Sequence, residues 1–187
     1  MPQALEQLRV EVEACRGCTL WQGRANLVFG VGNPQARVLV VGEAPGAEED
    51  AQGEPFVGRS GKLLTEMFAH AGLAREDVYI ANILKCRPPG NRNPLPEEIQ
   101  ACTPWLREQT RIINPEFIVT VGNFATQFIL KTDLGVTKLR GRVHEAGRFK
   151  VYPVFHPAYA LRNRNTVLPQ LEEDFRTLGQ LLNAKGA

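Results

Sequence analysis

Two groups of residues carry types and spacings that can do chemistry. Cys15 and Cys18 form a C-x2-C pair, Cys86 and Cys102 form a wider C-x15-C pair, and no cysteine is left over. Four thiolates are soft donors and point to a metal site; two disulfides are unexpected in a chain of this kind, and a redox CxxC would leave the second pair unexplained. Zinc ordinarily takes two tight pairs, whereas cubane iron–sulfur clusters accept irregular spacing. Iron–sulfur therefore leads, with zinc second and unconnected buried thiols third.

The second group lies in VLVVGEAPGAEEDAQGEPFVGRSGKLL, residues 38–64. An apolar run opens into five carboxylates (Glu43, Glu48, Glu49, Asp50, Glu54), then a lone Phe56 among glycines, then a helical pattern. FVGRSGKL approaches a phosphate-binding loop, but Phe56 stands where its first glycine belongs and Leu63 where its metal-binding hydroxyl belongs. Binding of a nucleoside triphosphate is excluded on those two positions. Asn82 and His156, each closing an apolar run, complete the candidates, while His70 and His144 read as structural.

These groups need elements to hold them. RVLVVG (37–42), VYIAN (78–82), EFIVTVG (116–122) and KVYPVF (150–155) are short, β-branched and almost continuously apolar, as strands covered on both faces are. Helical patterns run over 60–72, 96–113, 123–131 and 165–183. Pro96 before Glu97 and Glu98 suits a helix start, and Pro104 is expected to kink or restart that helix. The alternation predicts an α/β fold, a three-layer α/β/α sandwich around a mostly parallel, four-stranded central sheet. Ligands of such sheets bind beyond the carboxyl ends of the strands, which singles out Gly42 to Gly46, Asn82, Gly122-Asn123 and His156-Pro157.

The 187 residues fit a single domain spanning 1–187, and 22 Lys plus Arg against 20 Asp plus Glu give a net charge of +2, too little to imply nucleic acid by itself. The distribution is more telling. Residues 138–164 hold seven basic residues against Glu145 alone, and residues 43–54 hold five acids and no base. The mixed-charge start is no secretory signal, and no apolar run approaches the roughly 18 residues of a membrane span, so a soluble, cytoplasmic protein with no membrane association is expected.

GEAPG (42–46), GEPFVGRSG (53–61), YIANILKCRPPGNRNP (79–94), the cysteine spacing and HPAYALRN (156–163) together resemble the family 4 uracil-DNA glycosylases, thermostable iron–sulfur enzymes of bacteria and archaea. The pieces keep one order across nearly the whole chain. The resemblance implies the fold of the uracil-DNA glycosylase superfamily, a [4Fe-4S] cluster on Cys15, Cys18, Cys86 and Cys102, and removal of uracil from DNA; uracil-containing DNA, single- or double-stranded, is the expected partner and a monomer the expected state.

Under that resemblance the residues acquire roles. An enzyme that cleaves the glycosidic bond of a stacked base must flip the nucleotide into a pocket. Phe56 would supply a stacking face, and the Asn82 amide would pair with uracil N3–H and O4 while mismatching cytosine. His156 would hydrogen-bond uracil O2 as negative charge grows there, as neutral or charged imidazole. Gly42, Ala44 and Gly46 would let backbone approach the base, and Asn91 would help position substrate. Ala44 stands where family 1 enzymes carry a water-activating Asp, which leaves Glu43 first and Glu49 second as candidates for that task. Leu161 is the candidate wedge, with Arg162 and Arg164 for phosphates. A close relative that bonds covalently to DNA carries an inserted basic, histidine-bearing stretch after its strand-end motif; NILKCRPPGNRNP lacks it, so ordinary turnover is expected. The competing reading is a nucleic-acid-binding module with a structural metal, in which replacing Asn82 or His156 would abolish no base release.

Overall fold

The computed structural model describes residues 2–184. In chain order the elements are α1 (Pro2–Glu13), β1 (Val31–Gly32), β2 (Val38–Gly42), α2 (Ala47–Gln52), α3 (Arg59–His70), β3 (Tyr79–Asn82), α4 (Pro96–Ile113), β4 (Phe117–Val121), α5 (Gly122–Leu130), α6 (Val136–Leu139), β5 (His144–Ala146), β6 (Phe149–Val154), α7 (Pro157–Arg162) and α8 (Leu168–Asn183). The four apolar runs are the parallel centre of the sheet, in the order β3-β2-β4-β6. Because all four run the same way, their carboxyl ends gather on one edge of the sheet.

The sheet has six strands, not four. β1 adds antiparallel to β3 at one edge and β5 adds antiparallel to β6 at the other. Neither edge strand has a legible pattern: β1 is two residues long and β5 three, too short for period-2 alternation to register. Pro104 does not restart α4, which runs unbroken over 18 residues with the proline on its exposed face. There water can satisfy the carbonyl whose partner N–H is missing.

Alternation along the central strands builds two apolar layers. Val38, Val40, Ile80, Val119, Tyr152 and Val154 pack with Leu64, Phe68, Leu171 and Phe175 from α3 and α8. Leu39, Val41, Ala81, Ile118 and Val151 pack on the opposite side with Leu5, Leu8 and Val12 of α1, Leu106 and Ile112 of α4 and Ala125 of α5. Each such side chain contributes about 1.5–3 kcal/mol on burial, so the strand ends are held by a core on both faces. No helix among the described residues is long and apolar enough to cross a membrane.

Candidate active site

Gly42 closes β2 directly beside Asn82, which closes β3. The pairing continues past the strands, with Ile83 N–H donating to Gly42 O and Leu84 N–H to Glu43 O, each at 3.0 Å. A side chain at Gly42 would overlap Asn82 Oδ1 and come within 2.7 Å of the Phe56 ring. Only glycine lets these two groups converge there. Asn82 is 2% exposed, yet no hydrogen bond to protein engages its side-chain amide among the described residues. The amide opens into the cavity and is poised for a ligand.

Phe56 sits in the loop between α2 and α3 with φ of 51°, a left-handed conformation that costs a non-glycine residue of order 1–3 kcal/mol. Four hydrogen bonds hold its loop. Glu49 Oε1 accepts from Val57 N–H at 3.1 Å and Gly58 N–H at 3.0 Å, its Oε2 accepts from Gly46 N–H at 3.2 Å, and Arg75 Nη2 donates to Pro55 O at 2.6 Å. Gly61 in the first turn of α3 touches the Phe56 backbone so closely that any Cβ there would collide with it. The five carboxylates thus separate by task. Glu48 and Glu54 face solvent, Asp50 accepts from Ala25 N–H at 2.9 Å, Glu49 is committed to the loop, and Glu43 stands half-buried in the cavity. Burial pushes the Glu43 carboxyl above its ordinary value, because desolvation disfavours the anion.

His156 caps α7: its Nδ1 accepts from Ala158 N–H at 3.0 Å. Burial first, and the nearby Arg162 charge second, pull the imidazole down to about 4, partly opposed by Glu49. The ring is therefore neutral near pH 7, and a neutral ring whose Nδ1 accepts must carry its proton on Nε2. The choice between neutral and charged imidazole that the sequence left open thus falls to the neutral ring, and this hydrogen bond fixes its tautomer. The ring centroid of His156 lies 6.0 Å from that of Phe56.

Phe56, Asn82 and His156 line one cavity of about 530 Å3, together with Glu43, Ala44, Gly46, Glu49, Asn91 and Arg162. Ser60, Pro88, Arg92 and Asn93 line it too, though their types alone did not single them out; their place inside the GRSG and PPGNRN segments was the available signal. Arg92 is fixed by a bidentate pair with the buried Glu98, at 2.6 and 3.0 Å. Asn91 adopts φ of 55° and its Oδ1 accepts from Arg87 Nε at 2.7 Å. Leu161 and Arg164 do not line this cavity. They border shallower depressions beside it, one with Asn163, Asn165 and Thr166 and one with Arg59 and Lys62, and Leu161 is half-buried against the core.

The sequence profile of the Uracil DNA glycosylase superfamily matches residues 29–178. The chain is 47% identical to the Type-4 uracil-DNA glycosylase of Archaeoglobus fulgidus over 98% of its own length and 96% of that protein. It is 45% identical to the Sulfurisphaera tokodaii protein of the same name, over 95% and 84% of the two chains, and 44% identical to the Thermotoga maritima one, over 98% and 97%. The chain belongs to the uracil-DNA glycosylase superfamily, within its type-4 family.

In this type-4 chain the four cysteines come from three separate places, the chain after α1, the chain after β3, and α4, yet all are free thiols lining a single pocket. Among the described residues no three His, Cys, Asp or Glu side chains form a group that could hold a metal ion. Burial pushes the Cys86 thiol up and the Cys102 thiol up to about 11. Cation and amide donors face the sulfurs: Arg24 Nη1 lies 3.2 Å from Cys86 Sγ and Gly17 N–H 3.4 Å from Cys15 Sγ. Trp105, three residues after Cys102 on α4, lines the same pocket, and its buried Nε1–H has no hydrogen-bond partner. A buried donor without an acceptor costs about 1–3 kcal/mol, a cost that an acceptor within reach of Trp105 would offset.

Proposed function

We propose that this chain, acting as one domain, removes uracil from DNA, and the convergence of Phe56, Asn82 and His156 on one cavity carries the reading. The flipped base stacks on Phe56, a contact worth about 1–3 kcal/mol. Asn82 accepts from uracil N3–H and donates to O4. Cytosine, with an acceptor at N3 and an amino group at C4, meets that amide donor to donor. As the bond from the sugar C1′ to N1 breaks, its electron pair leaves with uracil and delocalises onto O2, where His156 Nε2–H donates. A preorganised donor of this kind is worth roughly 3–4 kcal/mol. Glu43, the cavity carboxylate with no backbone amides to hold, faces the cationic sugar and orients the water that adds to C1′, leaving an abasic site.

A [4Fe-4S] cluster on Cys15, Cys18, Cys86 and Cys102 fits the thiol pocket. Four cysteine thiols from three separate segments sharing one pocket are the donor set that a cubane takes, with the irregular spacing it accepts. Arg24 and Gly17 supply N–H groups toward its sulfur ligands. Held there by these cysteines, the cluster would cross-link the chain after α1, the chain after β3 and α4; the residues that read and release the base lie elsewhere. Brown colour and iron, rather than zinc, on metal analysis are expected of the purified protein.

The activity test is incubation with an oligonucleotide bearing one uracil, followed by alkaline cleavage of abasic sites. Strand scission at the uracil is expected for the native chain, with loss of scission but retention of DNA binding in Asn82→Ala. Intact strands from the native, iron-loaded protein would refute the assignment.

A further inference from the structure

Lys85 lines the thiol pocket and reaches from it to the strand end that carries Asn82. Its side chain is 1% exposed, among the most completely buried in the molecule. Its Nζ donates to Asn82 O at 2.9 Å and to Gln109 Oε1 at 2.6 Å. Gln109, fully buried on α4, turns its own amide nitrogen to Phe29 O at 2.8 Å. The Lys85 main chain is tied as well, since its carbonyl accepts from Val28 N–H at 2.9 Å and its N–H is set against the Cys102 thiol. The next residue is Cys86.

Burying a long amine among apolar neighbours is costly unless its hydrogen bonds require it. Both acceptors here are groups whose placement matters to base reading. An asparagine amide discriminates uracil from cytosine only in one orientation, because a half-turn about its terminal bond exchanges donor and acceptor. Where that amide sits depends on the backbone of Asn82, whose carbonyl is the atom Lys85 grips and whose following N–H, that of Ile83, is held by Gly42 O. Gln109 anchors the grip to α4, on the same inward face as Cys102 and Trp105, at spacings of seven and four residues.

We infer that Lys85 is a positioning residue for base discrimination: by holding the Asn82 carbonyl between the thiol pocket and the cavity, it fixes the amide that reads the pyrimidine edge. The inference rests on the uracil reading above. It predicts that the thiol pocket and the base cavity are mechanically joined through one side chain.

The test uses iron-loaded Lys85→Met and Asn82→Ala beside the native chain, with three readouts: inhibition by free uracil, affinity for a duplex with an abasic site, and the visible absorption of the cluster. Free uracil needs the amide; the abasic duplex does not. For Lys85→Met, uracil inhibition should weaken by between about tenfold and a hundredfold, the effect of a small misplacement in a site. Abasic-duplex affinity should stay within about twofold and the visible spectrum should be retained. Equal losses in uracil and abasic-duplex binding would assign Lys85 to general folding and overturn the inference, as would unchanged uracil inhibition. Should Lys85→Met not fold, Gln109→Met carries the same test, with the same selective signature expected and its absence equally fatal. If Asn82→Ala also leaves uracil inhibition unchanged, the base-reading assignment itself falls; if only Lys85→Met does, the failure is confined to Lys85.

Discussion

At His156 the acceptor nitrogen is occupied by Ala158 N–H, so in the proposed reaction Nε2–H is the group left to meet the leaving anion. The unfolded ring takes up a proton near 6.5 and the folded one near 4. Between those values the unfolded chain binds more protons, so this group lowers stability as pH falls from about 6.5 to about 4 and costs nothing above that window. Base release should therefore be flat through neutrality. Its acid limb should belong to Glu43, begin above the ordinary carboxylate value of 4.5, and vanish in Glu43→Gln; a limb near 6.5 that survives this change would contradict the neutral-imidazole account. Gly42→Ala tests the same cavity sterically. A methyl group there meets Asn82 Oδ1 and the Phe56 ring, so base release should fall about a hundredfold with DNA affinity retained. Sequence made Phe56, Asn82 and His156 legible because strand ends and bracketing glycines mark such positions. It could not separate Glu43 from Glu49, since the distinction lies in which carboxylate the backbone amides of a folded loop capture.

The element that governs the stacking face is the loop from α2 to α3. Glu49 ties three amides across it. Glu49→Gln leaves one oxygen for these donors and turns an NH2 toward another N–H. The cost should be about 1–3 kcal/mol, which corresponds to roughly 2–12 °C in Tm for a chain of this size, measurable by calorimetry. An unchanged Tm with abolished activity would instead return Glu49 to a direct chemical role. The central strands were readable from continuous β-branched runs, and α4 from Pro96 and the acids after it. The edge strands were not, because two or three residues carry no period, and the continuity of α4 through Pro104 depends on the exposure of that turn, a tertiary fact.

Across the whole molecule, two surfaces and one cross-link organise the work. Arg162 and Arg164 stand exposed beside the cavity, and Arg59 and Lys62 border the adjoining depression, which gives the modest net charge of +2 a local meaning. Replacing Arg164 by Ala should reduce the slope of log affinity against log salt by about one; an unchanged slope would place the DNA elsewhere. The thiol pocket gathers segments far apart in sequence, so the proposed cluster would couple its binding to folding. Removing the iron with a chelator should lower Tm, and Cys86→Ala should abolish the brown colour. The spacing of the cysteines suggested a shared site, but the Trp105 donor and the Lys85 bridge became visible only once α4 was laid against the chain after β3.

The most direct measurement is the structure of the protein with free uracil bound. The account places the pyrimidine against Phe56, its N3–H and O4 on the Asn82 amide and its O2 within hydrogen-bond distance of His156 Nε2. Uracil found in another cavity, or in this one with its N3 edge turned away from Asn82, would contradict it.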